Sequence, residues 1–387
     1  MRLRFLPVFA LLFVLAAPSA RAAGQTYDAQ PQVRQYASLV YWNYHDALEK
    51  AQKMRDRIFM LIDNPTQKNL DKARTAWIAA RAPYSQTEAF RFYEGPIDFG
   101  DPATQQKGPE SYLNSWPVNE AYIDYVQGNP EAGIIHDESK PITYDALRND
   151  NQARDEADVA TGWHAIEFLL WGQDFQKDGP GTRSFEDFKP GNPVNDRRRL
   201  YLKTITSMLV ADLSYLTASW APGKTNNFAA SFTSGDSQVA LKKLLSGMAT
   251  LAGFEMASER MGTGLDSGEQ EDEQSCFSDN THNDFTYNAR GIKNIYLGEY
   301  GSHKGPSIAT MMNEIDPMLN AKLLDQLDRT ERLIADIPHP YDQVLSSEPD
   351  SPGRAKVEAA IASLQQEAEL LKKVGKALGV DVEIASE

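Results

Sequence analysis

One cysteine, Cys276, stands in the 387 residues, so no intramolecular disulfide can form and the fold must be held by its core alone. Positive charge is also scarce. With 39 Lys+Arg against 54 Asp+Glu the chain carries a formal −15, which disfavours nucleic acid, phosphates and anionic membrane surfaces as partners. No H-E-x-x-H, H-x-x-E-H, G-x-S-x-G or Walker loop occurs, so the familiar zinc-protease, hydrolase and nucleotide signatures are absent. No run with period-2 alternation and no Asn-Gly hairpin signal stands out, which predicts an all-α protein. Apolar runs of ~20 residues, the length of a membrane span, are missing as well.

The amino terminus reads as a secretory signal over 1–23. Arg2 and Arg4 form the charged start, Phe5 to Ala17 the apolar core, and Ala20-Arg21-Ala22 the small-x-small cleavage site. Cleavage is expected after Ala22 or Ala23, giving an exported chain with no span and a charge near −18 after loss of Arg2, Arg4 and Arg21. The acidic stretch ahead of Cys276 looks solvated, which leaves an exposed thiol open.

Helical spacing of apolar residues predicts helices over about 32–62, from Leu70 through Phe90, near 118–127, over 196–220 and 235–262, and over 317–337 and 351–378. Two packed four-helix-bundle-like domains fit this order, 30–221 and 222–387, divided at Ala221-Pro222-Gly223. A weak echo, Gly291-x-Lys293-x-x-Tyr296 in the frame of Gly162-x-His164-x-x-Glu167, is consistent with a degenerate duplication.

The most unusual stretch is Gly162-Trp163-His164-Ala165-Ile166-Glu167-Phe168-Leu169-Leu170-Trp171-Gly172, an apolar helix carrying one imidazole and one carboxylate. Three apart, the two groups share a face and can converge on one point. They can bind a metal ion, or they can simply hydrogen-bond each other. An oxygen-rich set with one imidazole suits iron or zinc better than copper(I). Upstream, Arg74, Arg81 and Glu88 recur every seven residues beside Trp77 and Tyr84, and the default for such charges is a solvent-facing, paired stripe. Glu255 and Glu259, one turn apart, read as a surface pair with Arg260. Ser278 or Asp279 is placed to cap a following helix, and His282 with Asp279 and Asp284 can also supply ligand atoms.

Taken together, Gly162-x-His164-x-x-Glu167, Trp77-x-x-x-Arg81-x-x-Tyr84-x-x-x-Glu88-Ala89-Phe90, Phe277-Ser278-Asp279-Asn280-Thr281 and the signal peptide resemble the imelysin family and its iron-regulated members. The resemblance spans essentially the whole mature chain. It implies a two-bundle helical fold, a bacterial envelope location in the periplasm with outer-membrane association, a link to iron, and a site at the H-x-x-E motif. It moves Arg81, Glu88 and Asp279 from the surface to a cavity. On this footing His164, Glu167, Glu88 and Asp279 are the expected metal ligands, with Arg81, Ser278 and His282 around them. The bound species is expected to be a divalent or trivalent ion or a metal complex, iron first and zinc as alternative, and the partners envelope iron-uptake proteins. A metallopeptidase using the same pair with Glu88 as base is the competing enzyme reading. A scaffold whose polar cluster only fixes the bundle register is the third.

Overall fold

The structure, a computed structural model, describes residues 27–100 and 107–385; the signal-peptide expectation therefore lies outside the described residues. Two long helices open the fold, α1 (Gln30–Asp63) and α2 (Gln67–Gln86), with Thr66 accepting from the Asn69 amide to cap the second. The H-x-x-E motif lies on α3 (Gly162–Trp171), and α4 (Pro193–Trp220) follows, its start capped by Asn192. α1 packs along both α2 and α4, while α3 lies against α2 and α4.

The second half is built from α5 (Ser237–Thr250), α6 (Thr281–Leu297), α7 (Pro317–Ala335) and α8 (Pro352–Ala377). α5 does not continue as an α-helix to the expected end. From Leu251 to Gly262 the chain runs on as a π-helix, whose i→i+5 bonding brings residues five apart onto one side. That segment and α5 pack on α8, and α7 packs on α8. Here the all-α expectation holds, with one local departure: a short hairpin pairs Glu299–Tyr300 with His303–Lys304. Among the described residues, no helix is long and apolar enough to cross a membrane.

A continuous apolar core runs through both halves, from Val33 and Tyr44 of α1 through Trp163 and Phe168 of α3 to Phe285 of α6 and Leu364 of α8. The halves meet where α6 lies on α2. A Cβ at Gly291 would sit 2.3 Å from the Gln86 carbonyl oxygen, so at this crossing the α6 backbone rests directly on the end of α2. Asn288 then donates to the Ser85 carbonyl at 2.8 Å. The helix expected near 118–127 is the short Glu120–Ile123, and a second short helix, Tyr144–Asp150, follows it.

The close approach at Gly291 generates a direct prediction. A methyl group there must push α6 off α2, so Gly291→Ala should destabilise by about 1–3 kcal/mol. Chemical denaturation of the two proteins checks this; an unchanged midpoint would mean that the crossing yields without cost.

Candidate functional site

Gly162 begins α3 with φ +93, a conformation that favours glycine, and a Cβ there would lie 2.5 Å from the Leu113 carbonyl oxygen. The motif helix is thereby seated against the 110–114 turn, and every residue of α3 is buried. Burial turns its two polar groups toward each other. His164 Nδ1 lies 2.8 Å from Glu167 Oε2, as the i, i+3 spacing allows. The other oxygen, Glu167 Oε1, accepts from the Ser278 backbone N–H at 3.0 Å and from the Ser278 hydroxyl at 2.7 Å. His164 Nε2 is buried and has no hydrogen-bond partner among the described residues.

Electrostatics holds the pair close to neutral. Burial first, then the guanidiniums of Arg81 and Arg260, keep the His164 imidazolium pKa well below its usual value. Burial pushes the Glu167 carboxyl well above its usual range, against the opposing pull of the Ser278 hydroxyl and Arg81. Imidazole and carboxyl therefore share a hydrogen bond rather than a full ion pair. The ring tautomer follows the proton: a neutral carboxyl donating from Oε2 to Nδ1 puts the ring hydrogen on Nε2, whereas the carboxylate accepts Nδ1–H and leaves a lone pair on Nε2.

The two charges read from sequence alone as solvent-facing are not: Arg81 and Glu88 are each 1 % exposed. Arg81 of α2 and Glu88 of the 3-10 turn Thr87–Phe90 that follows it face the junction of the two halves, and there each charge finds partners from distant segments. Arg81 places Nε and Nη2 at 3.1 and 2.8 Å from Asp284 Oδ1 and Nη1 at 2.6 Å from Asn114 Oδ1. Its guanidinium also lies 5.4–5.7 Å from the ring centroids of Trp77, Tyr84 and Trp163. Ser85 donates to the same Asp284 oxygen at 2.6 Å, and Ser275 to the other. Glu88 Oε2 receives Arg260 Nη2 at 2.6 Å and Arg91 Nη1 at 3.2 Å, while Oε1 has no hydrogen-bond partner among the described residues. Arg74, the third member of the stripe, donates to the carbonyls of Leu170 and Arg183 at 3.0 and 2.9 Å.

Of the residues expected at the site, His164, Glu167 and Ser278 are in contact, and the field of Arg81 reaches His164. Glu88 is held in the Arg260–Arg91 ion pairs. Asp279, at φ +56, turns its carboxylate away to a group formed with Asp174 and Asp342. His282 stacks on His339 with ring centroids 4.6 Å apart. Neither Ser278 nor Asp279 caps α6; the capping position is Asn280, with no side-chain cap. Cys276 is partly buried rather than solvated, and burial with the nearby Glu167 raises its thiol pKa well above the usual value, so it is no reactive thiolate.

Sequence reading missed Arg260 as an interior residue. It is 1 % exposed and bonds Glu88, Asn288 and, through Nη2 at 2.7 Å, Glu255. The pairing of residues 255 and 260 depends on the π-helical i→i+5 register, which composition does not announce. A second missed centre is Asp124, which takes Arg183 at 2.7 Å and Arg198 at 2.6 and 2.9 Å and so ties the Gly172–Pro193 loop to α4. Its partners are 59 and 74 residues away, beyond any spacing rule.

The Glu88 contacts fix a pH dependence. Burial raises its pKa, but Arg260 and Arg91 more than offset that, and the net direction is down. A carboxylate whose folded pKa lies below its unfolded value, ~4.3, contributes stability above that pH and loses it as the pH falls through the folded value. Glu88→Gln should therefore cost about 3 kcal/mol near neutrality and flatten the acid limb of the stability–pH curve. Urea melts between pH 3 and 7 read both effects, and parallel curves for the two proteins would refute the assignment.

Comparison with known proteins follows the same lines. The family description that matches is imelysin, over residues 40–371. A curated relative, iron-regulated protein A of Synechococcus elongatus, is 24 % identical over 309 residues, covering 78 % of this chain and 73 % of its own. Among solved structures, a protein described as an iron-regulated protein A precursor from Parabacteroides distasonis superposes with a TM-score of 0.69 at 19 % identity, covering 91 % of this chain and 97 % of that one. An imelysin-like protein from Psychrobacter arcticum gives 0.63 at 15 % identity, with the same coverage. At these identities the two structures speak for the fold. With the family match extending across both halves and over the H-x-x-E helix, the chain belongs to the imelysin family.

Proposed function

We propose that this protein is an exported, iron-linked member of its family, and that the His164–Glu167 pair is its metal-binding centre. The observation that carries the reading is the state of the imidazole. Nδ1 is fixed by a carboxyl group and Nε2 is buried with nothing to bond. Metal-ligating histidines are commonly oriented this way, with one ring nitrogen held by a carboxylate so that the other is aimed and made more basic. The pair fits a metal in that sense. His164 Nε2 would be the ligand atom, Glu167 would orient it, and Ser278 would hold Glu167.

The donor set also limits what can bind. Glu88 has one oxygen on two guanidiniums and Asp279 faces elsewhere, so the pair does not present a closed protein cage. An ion arriving with its own ligands, as a small chelate, needs only one open position and suits such a centre better than a bare cation. The field of Arg81 and Arg260, which disfavours positive charge on His164, points the same way, toward a metal complex of low or negative net charge. The name of the Synechococcus relative, iron-regulated protein A, supports iron as the first candidate, with zinc as the comparison.

The peptidase reading requires more. A general base must stand beside a metal-bound water, and Glu88, the carboxylate expected in that role, is drawn into the Arg260 pair and kept ionised there. Metal binding is therefore the reading favoured here. Export rests on the signal-like residues 1–23 and would place the mature protein in the envelope, in the periplasm or held at the outer membrane beside iron-uptake proteins.

The test is uptake of ferrous ion, zinc and ferric citrate by the purified mature protein, measured beside His164→Ala and Glu167→Gln. Wild type should retain metal in stoichiometric amount. His164→Ala should lose it, and Glu167→Gln, which keeps the shape but weakens the orienting carboxyl, should bind about 10–100-fold more weakly. Equal uptake by wild type and folded His164→Ala would refute the assignment. Metal-dependent cleavage of a peptide, abolished in His164→Ala, would instead establish the enzyme.

A further inference from the structure

A second group of oxygen donors lies on the far side of the Ser278–Asp279 peptide. Asp174 follows the end of α3, Asp279 precedes α6, and Asp342 belongs to the short helix Asp342–Leu345. Three segments far apart in sequence thus bring one carboxylate oxygen each to within 4.8 Å of one another. Oxygen ligands of a hard cation stand at about 2.3–2.6 Å from the ion, so a set with this spread can share one ion among them.

Little in the surroundings neutralises this concentration of charge. Gln270 Nε2 donates to Asp174 Oδ2 at 3.0 Å and to Asp342 Oδ2 at 3.2 Å, and that bridging group is an uncharged amide. Asp342 Oδ1 and Asp279 Oδ1 have no hydrogen-bond partner among the described residues. The groups that act on the three carboxyls are one another, Glu273, Gln270 and backbone amides, with no basic side chain among them. Burial and mutual repulsion lift Asp279 to about 7 and Asp174 to about 6.

Glu273 is the independent sign that something else belongs here. It is 1 % exposed, and neither of its oxygens makes a well-formed hydrogen bond. The polar side chains it adjoins are the Asp342 carboxyl and the Thr281 hydroxyl, so its carboxylate is directed into the same cluster. Two buried carboxyl groups face each other at this point with no guanidinium or ammonium between them. Burial of an unpaired carboxylate is too costly to be left uncompensated, so this pair is relieved either by held protons or by a bound cation.

We propose that Asp174, Asp279 and Asp342, backed by Glu273, form a binding site for a hard divalent cation of the calcium, magnesium or manganese class, separate from the His164–Glu167 centre. The donors are all oxygen, with no thiolate or imidazole in the set, and such sets select hard ions over soft ones. The ion supplies the positive charge that the segments around it lack. It also ties residue 342, near the start of the chain's last long helix, to residue 174 beside α3, so its binding stabilises the junction between the first and last parts of the fold.

Calorimetric titration of calcium alone and manganese alone into chelator-stripped full-length protein tests this, with thermal melts in parallel. Wild type should bind one ion of this class and melt at a higher temperature with it. Glu273→Gln and Asp342→Asn should each weaken binding at least ~10-fold. Metal-free Asp342→Asn should melt above metal-free wild type, because one of the facing charges is gone. If that variant fails to fold, Asp279→Asn, on the more accessible side of the cluster, reads the same loss. Absence of uptake at millimolar ion overturns the proposal, since the carboxyls would then be relieved by shared protons; so does uptake that the Glu273 and Asp279 variants leave intact.

Discussion

The Arg81–Asp284 ion pair fixes how the two halves of this protein meet. Both side chains are 1 % exposed or less, so neither charge is solvated, and each must be satisfied completely by the other and by fixed dipoles. Donors reach Asp284 from α2, through Arg81 and Ser85, and from the approach to α6, through Ser275. A shift of α6 along α2 by one residue would break the Arg81 and Ser85 bonds together. Buried pairs contribute little net stability against an apolar replacement, but removing one partner strands the other at a cost of about 3–5 kcal/mol. The pair thus penalises every register except one, while the apolar core provides the bulk of the driving force.

This junction also determines the chemistry of the motif helix. Arg81 is needed for the crossing, yet its charge reaches His164, and together with burial and Arg260 it suppresses the imidazolium. A histidine that stays neutral well below its ordinary pKa keeps a lone pair available over a wide pH range, which is what a ligand atom requires. Glu167 responds in the opposite sense, its carboxyl raised by burial, and it must give up that proton for Nδ1 to donate to it and Nε2 to present its lone pair. The same few charged groups therefore set both the architecture and the protonation state of the candidate site. Changes at Arg81 cannot be expected to alter one without the other.

Much of this was legible in the sequence and some could not have been. The helix periods of α1, α4, α7 and α8 are visible because each buries one broad apolar face, and the ends agree within a few residues with Gln30–Asp63, Pro193–Trp220, Pro317–Ala335 and Pro352–Ala377. The His164–Glu167 contact follows from an i, i+3 step on a helix too apolar to leave them in water. By contrast, the burial of Arg81 and Glu88 depends on partners some 200 and 170 residues away, and charge periodicity alone favours solvent. The inward turn of Arg260 depends on a π-helical stretch that has no compositional signature. Asp279 is informative for the same reason: no spacing rule predicts that a residue adjacent to Ser278 will face the opposite way.

That reversal links the two polar centres. Ser278 gives its amide and hydroxyl to Glu167, and the next residue, in a left-handed conformation uncommon for a side chain other than glycine or asparagine, delivers its carboxylate to Asp174 and Asp342. One peptide unit therefore belongs to both sites. A cation held by Asp279 would restrain that unit, and through it the hydrogen bonds that orient Glu167 and the imidazole. The two sites need not exchange ligands to influence each other; coupling requires only that the 278–279 turn have one conformation in which both carboxyls are held. Occupancy of the acidic cluster would then favour the arrangement in which the His164 ring is held and aimed, so a cation there would precondition the proposed metal centre.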